Sequence, residues 1–247
     1  MAQDDSNKPP PRPIDLAATH GRTAENPHLP ADFRSAVEAM FGGTRLGRQE
    51  LDGILLEEFE GALWSRELLE KARGPALRAD GFARVVIGLD PPASTHGDSC
   101  GIVACASDKE GVCWVVVDLS APGLSPEAWA RRVRDAAELH GAGRIVAEKN
   151  MGGEMIASNL RAVDATLPVE LVHAGPGKAA RAEPIALRFE TGRARLAGHF
   201  PELEDQLCAL TWAGYQGTGS PDRADAMVWA MTELFGKAKA DPRIRRL

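Results

Sequence analysis

The sequence predicts an α/β fold, a mixed five-stranded sheet flanked by helices. Two observations carry that expectation. Short apolar runs rich in β-branched residues recur at 83–90, 99–107, 112–119, 144–148 and 169–173. The first three follow one another across short connections, which demands an antiparallel meander, whereas the last two alternate with helical stretches in parallel crossover order.

Residues 1–30 are proline-rich and lack periodicity, so they read as a disordered tail or linker. A helical lead-in is expected over 31–80. Its first helix spans 31–41 with Phe33, Val37, Met40 and Phe41 and stops at Gly42-Gly43. A second is expected over 44–58, and a third runs from an N-cap at Ser65 to about Lys71. The main domain is expected over 81–240. Within it the turn at Asp108–Gly111 closes the second hairpin, and Ser125-Pro126-Glu127 opens a helix to about His140. Further helices are expected over 153–163, 178–191 and 200–209, with a last one opened by Ser220-Pro221 and running to about Lys237. This is the element order of the RNase H-like fold. In it the first and fourth strands lie parallel and adjacent, so their carboxyl ends open onto one crevice.

With 247 residues, of which 44% are apolar, the chain can build a substantial core. A net charge of −6 argues against nucleic-acid binding by global basicity, leaving local basic patches. Cys100, Cys105, Cys113 and Cys208 form no C-x-x-C pair and no zinc-like spacing with histidine, and read as reduced core thiols. No apolar run is long enough to span a bilayer and no signal peptide is evident, so a soluble intracellular protein is expected. "HAGPGKAAR" (173–181) is not a phosphate loop, since the upstream glycine and the hydroxyl are missing.

Two core strands end on an acid. "VVIGL" runs into Asp90 and "RIVA" into Glu148. A single acid at a strand end is ordinarily a loop cap or salt-bridge partner, but a third group repeats the pattern: Asp222 and Asp225 sit three apart, on one face near the start of the last helix. Clustered carboxylates repel and resist ionisation unless a cation neutralises them. Without cysteine or histidine spacing, the hard ions Mg2+ or Mn2+ are the natural partners. Two such ions can activate a water and stabilise the leaving oxygen in phosphodiester hydrolysis, with Asp90 bridging and Glu148 and Asp225 completing the site. Asp98 reads as a turn residue that could reach the same crevice.

Several separated blocks resemble one known family: "GTRLGRQELDGILLEEFEGALWSRELLE" (43–70), "VVIGLDPPAS" (85–94), "GDSCGIV" (97–103), "VAEKNMGGEM" (146–155), "LVHAGPGKAARAEPIA" (171–186) and "GSPDRADAMVWAMTEL" (219–234). Together they are similar to the C-terminal, nuclease half of the large terminase subunit of tailed bacteriophages, and most of all to the forms in prophages and gene transfer agents. The resemblance spans about 20–237. It implies an RNase H-like endonuclease that cuts concatemeric double-stranded DNA during packaging, with Asp90, Glu148 and Asp225 as its metal-binding carboxylates and Asp222 in an auxiliary position. It also implies partnership with a packaging ATPase domain, the small terminase subunit and the portal, in the cytoplasm of a bacterial host and transiently at the procapsid. The ATPase's phosphate-binding loop is not in this sequence, and "ATHGRTAENPHLPADF" (18–33) looks like the region just beyond that ATPase core. An excised nuclease half or a split gene product is therefore expected, with no ATP-driven translocation of its own.

Phosphate contacts in an acidic chain must come from local bases. Lys178, Arg181 and Arg188 form the best run, followed by Arg193, Arg195 and Arg223; a solvated helix face is the alternative for each. Trp129 and Trp229 read as core residues, and Trp212 and Tyr215 as possible DNA-facing aromatics. Two other functions fit parts of the pattern. One is a non-catalytic module docking DNA or the portal. The other is an actin-like or sugar-kinase-like phosphotransferase, opposed by Pro91-Pro92, which remove amide donors where that fold binds phosphate.

Overall fold

The computed structural model describes residues 21–41, 47, 51–53, 59–75, 81–92, 99–149, 153–173, 175 and 177–236. The chain divides into two compact units, Met1–Leu55 and Leu56–Leu247. In the first, a 3-10 turn at Thr23–Glu25 precedes helix α1 (Ala31–Phe41), as expected for 31–41. Most of the helix expected over 44–58, and residues 1–20, lie outside the described residues.

The second unit starts earlier than position 81. Helix α2 (Arg66–Lys71) forms where Ser65 accepts the amide of Leu68, and Leu63, Trp64 and Leu69 are buried in the same core as the sheet. Arg73 reaches Glu204 through both carboxylate oxygens, at 3.1 and 3.0 Å, and Arg66 approaches the same group at 3.5 Å. Glu204 is fully buried, so these two guanidiniums, with the Phe200 amide donating to Oε1 at 2.8 Å, are what make its charge tolerable there.

The sheet is built from β1 (Phe82–Asp90), β2 (Ser99–Asp108), β3 (Cys113–Asp118), β4 (Ala121–Pro122), β5 (Arg144–Glu148), β6 (Val169–Val172) and β7 (Ala194–Leu196). Its order is β6-β5-β1-β2-β3-β7, with β4 added beside β2. All five expected strands are present, and the sheet is larger than expected by the short β4 and β7. The meander β1-β2-β3 is antiparallel, while β5 on β1, β6 on β5 and β7 on β3 are parallel. Asp108 closes the second hairpin by accepting the amides of Glu110 and Val112, and Gly111 supplies the positive φ of 82° the turn needs.

Helices cover both faces. On one lie α3 (Pro126–His140), capped by Ser125, and α4 (Gly153–Val163). They pack Trp129, Val133, Ile156 and Leu160 against Ile87, Leu89, Ile102 and Ile145. On the other face lie α5 (Lys178–Glu190), α6 (Pro201–Ala209) and α7 (Asp222–Gly236), with a small hairpin of β8 (Leu210–Thr211) and β9 (Gly214–Tyr215) between the last two. Their apolar groups meet Val86, Val103, Cys105 and Val146. Strand side chains alternate between faces, so this division fixes where the strand ends point. Val86 and Val146 share the α7 face, and so do Asp90 and Glu148, which lie an even number of residues further on. Burial of each large aliphatic side chain in these layers contributes about 1.5–3 kcal/mol.

Helix α7 is buried along nearly its whole length, from Asp222 through Met231. It lies against β1 and β2 at unusually close range because two strand positions lack a Cβ. One added at Gly88 would fall 1.8 Å from the Ala226 carbonyl oxygen, and one at Gly101 would fall 2.0 Å from that of Asp222. Glycine in a strand is otherwise a weakness, and here it lets a helix backbone approach the sheet. No helix among the described residues is long and apolar enough to cross a membrane.

Candidate functional site

Three elements converge at the carboxyl ends of β1 and β5. The two strands pair in parallel up to Leu89 and Ala147, which leaves Asp90 and Glu148 as the next residues of neighbouring strands. Across β1, Asp90 is paired with Gly101, whose missing side chain admits the first turn of α7. That turn carries Asp222 and Asp225, which are 4% and 5% exposed. The acids separated in sequence thus meet at one end of the sheet. Asp98 lies outside the described residues.

Electrostatics register this convergence at Asp90. Its carboxyl is pushed well above the ordinary carboxylate range, first by burial, then by the charges of Asp225 and Asp222, with a smaller contribution from Glu148; Lys178 works in the opposite direction. Four carboxylates therefore share one field. Among the described residues, no group of three acids, histidines or cysteines is already drawn together as a metal cage. The donor set nonetheless fits a hard divalent ion, since all four groups offer oxygen and their mutual repulsion calls for positive charge. What stands against Asp225 is protein: the Lys178 ammonium donates to Oδ2, and Arg181 Nη2 lies 3.9 Å from Oδ1.

The bases expected to meet DNA take several different positions. Lys178 is turned onto Asp225, with its side chain 45% exposed. Arg181, 10% exposed, stacks over Trp229 at 4.4 Å. Arg188 lies over the Phe235 ring at 4.7 Å. Arg193 and Arg195 are exposed, the latter 5.5 Å over Trp114. Arg223 departs most from expectation: its guanidinium binds Asp118 at 2.8 Å, the Ser120 carbonyl at 3.2 Å and Glu202 at 2.5 Å, with only 7% of the side chain exposed. It is a buried cation whose charge is taken up by Asp118 and Glu202. Trp129 and Trp229 are core residues. Trp212, in the hairpin turn, is 59% exposed, whereas Tyr215 packs on the core.

Sequence reasoning missed Gly88 and Gly101. Each interrupts an apolar strand, and that interruption is the signal for a close backbone approach. The lysine-carboxylate contact had no comparable signal.

The family model of the terminase RNase H-like domain matches residues 87–234, more than half of the chain. The chain belongs to the terminase RNase H-like domain family. The match begins inside β1 and ends inside α7, the two elements that bring Asp90 and Asp225 together. Among solved structures, this terminase domain is similar to the large terminase nuclease of thermophilic phage G20c with bound cobalt, at 17% identity and a TM-score of 0.53, covering 71% of this chain and 98% of that one. The same nuclease with bound magnesium matches with the same identity, TM-score and coverage. The large terminase of bacteriophage HK97 matches at 15% identity and a TM-score of 0.57, over 70% of this chain but only 43% of its own length. At such identities the likeness is one of fold. No curated protein sequence matches the chain.

Proposed function

We propose that this terminase domain is a metal-dependent DNA endonuclease that cuts concatemeric double-stranded DNA during packaging of a viral or gene-transfer-agent genome. The observation that carries this reading is the meeting of Asp90, Glu148 and the Asp222/Asp225 turn at one end of the sheet. Asp90, Glu148 and Asp225 would hold Mg2+ or Mn2+, two ions in the full site, with Asp222 as auxiliary ligand. Bound there, the ions supply an activated water and stabilisation of the leaving oxygen in phosphodiester hydrolysis. The chain's own residues hold the carboxylates in place. β1 and β5 fix two of them side by side, and α7 brings the others onto the same face. Support for the metal comes from the oxygen-only donor set and from the G20c nuclease, solved with cobalt and with magnesium.

Double-stranded DNA is the proposed substrate, with a packaging ATPase, the small terminase subunit and the portal as partners in the host cytoplasm. Lys178, Arg193 and Arg195 are exposed among the proposed phosphate contacts, with Arg188 and Arg181 nearer the core. The test is cleavage of supercoiled plasmid with manganese, magnesium or EDTA, comparing wild type with Asp90→Asn and Asp225→Asn. Metal-dependent nicking lost in both variants supports the reading. Cleavage that survives both substitutions, or is absent with every metal, overturns it in favour of a docking module.

A further inference from the structure

The Lys178 ammonium sits on an oxygen of Asp225, one of the acids assigned to the metal. Arg181, one turn further along α5, stands at the other oxygen. The two cations are held very differently. Arg181 is 10% exposed and clamped over the Trp229 ring at 4.4 Å, so it cannot leave without disturbing the α5–α7 contact. Lys178 is the first residue of its helix, is 45% exposed, and follows the exposed Gly177. Its long flexible stem lets the ammonium swing between the acid and solvent.

A carboxylate oxygen that accepts a charge-assisted bond from an ammonium gives part of its charge to that cation and is a weaker ligand for a divalent ion, and two cations in that space repel. We propose that Lys178 is a displaceable internal counter-ion of the acidic site, competing with the divalent ion for Asp225 and, once displaced, passing to a phosphate of the bound DNA. This rests on the metal-dependent reading above and adds a coupling to it. Ion entry frees a cation at the rim of the crevice, and a DNA phosphate gives that cation somewhere to go. Metal and DNA then reinforce one another through a single side chain. Arg181 does not exchange and serves as a positioning residue for the Asp225 carboxylate.

The test begins with Mn2+ binding to the full chain without DNA, by titration calorimetry, for wild type, Lys178→Met, Lys178→Gln and Lys178→Arg. Both neutral variants are expected to bind Mn2+ about ten-fold more tightly, with the arginine variant close to wild type. Two neutral side chains guard against a fold defect in either, and each is checked by its melting temperature in EDTA. The second readout is duplex binding against salt, with calcium or EDTA. Calcium is expected to steepen the slope of log K against log salt by about 0.9 in wild type, one further phosphate contact, and not in Lys178→Met. Unchanged or weaker Mn2+ binding in the folded neutral variants overturns the proposal while leaving the nuclease reading intact. Wild type that binds no divalent ion overturns both.

Discussion

The Cα of Gly101 lies against the backbone carbonyl of Asp222, so close that a Cβ would stand 2.0 Å from its oxygen. Gly101 is also the β2 partner of Asp90. One residue without a side chain thus sets the spacing between a strand-end acid and the helix turn carrying two more. Gly101→Ala is expected to push α7 off the sheet and Gly88→Ala to do the same one turn along. Both clash with backbone, which cannot rotate away, so the cost should reach or exceed the ~3 kcal/mol upper end for overpacked cores. Gly143→Ala, with open space around it, should stay within about 0.5 kcal/mol of wild type. Urea unfolding midpoints check all three.

Asp90 should make stability depend on pH in an unusual direction. Its folded-state pKa is raised above that of an unfolded aspartate, chiefly by burial and then by Asp225 and Asp222. Such a group favours the fold when protonated. The contribution is complete below pH ~4 and is lost as pH rises through the raised value. At pH 7–8 in EDTA, Asp90→Asn should therefore melt higher than wild type, by roughly 2–4 °C for each kcal/mol of relieved repulsion. Near pH 4 the two should converge. Added Mg2+ should raise the wild-type melting temperature more than the variant's, and equal shifts would separate Asp90 from metal binding.

Arg223 offers a test of placement. Removing it strands Asp118, whose side chain is 8% exposed, without its cation. Arg223→Ala should cost about 3–5 kcal/mol of stability, as breaking a buried pair does. Loss of DNA affinity without loss of stability would assign Arg223 to phosphate instead.

Thiol chemistry should separate the four cysteines. Cys100, Cys105 and Cys113 are buried, and burial raises their thiol pKa values, that of Cys113 to about 12. Cys208 is only partly buried. A thiol reagent at pH 8 should modify Cys208 first and reach the other three only on unfolding, a pattern peptide mass mapping reads directly.

Most of the sheet was legible because its strands carry strong local signals. Asp90 and Glu148 stood out as acids closing apolar runs, and the last helix announced itself through Ser220-Pro221. β7 was not legible, because Ala194–Leu196 is only three residues long and is a strand by virtue of β3 beside it. The burial of Arg223 was hidden for a different reason. A surface helix has one polar face, and a basic residue on it points to solvent, but α7 has almost no such face. Lys178 could be read as basic, yet nothing local told whether its charge met a phosphate or an acid of the same chain.

The central position of α7 also orders events in time. During synthesis, β1 and β2 leave the ribosome more than a hundred residues ahead of the helix that fills the glycine groove between Gly88 and Gly101. Until then that groove is bare, and Asp90 and Glu148 are made without Asp225. Closing the core and completing the set of acids are one step, taken by one helix that follows every strand of the sheet in the chain. A chain interrupted before α7 lacks both the helix that fills this groove and two of the four acids.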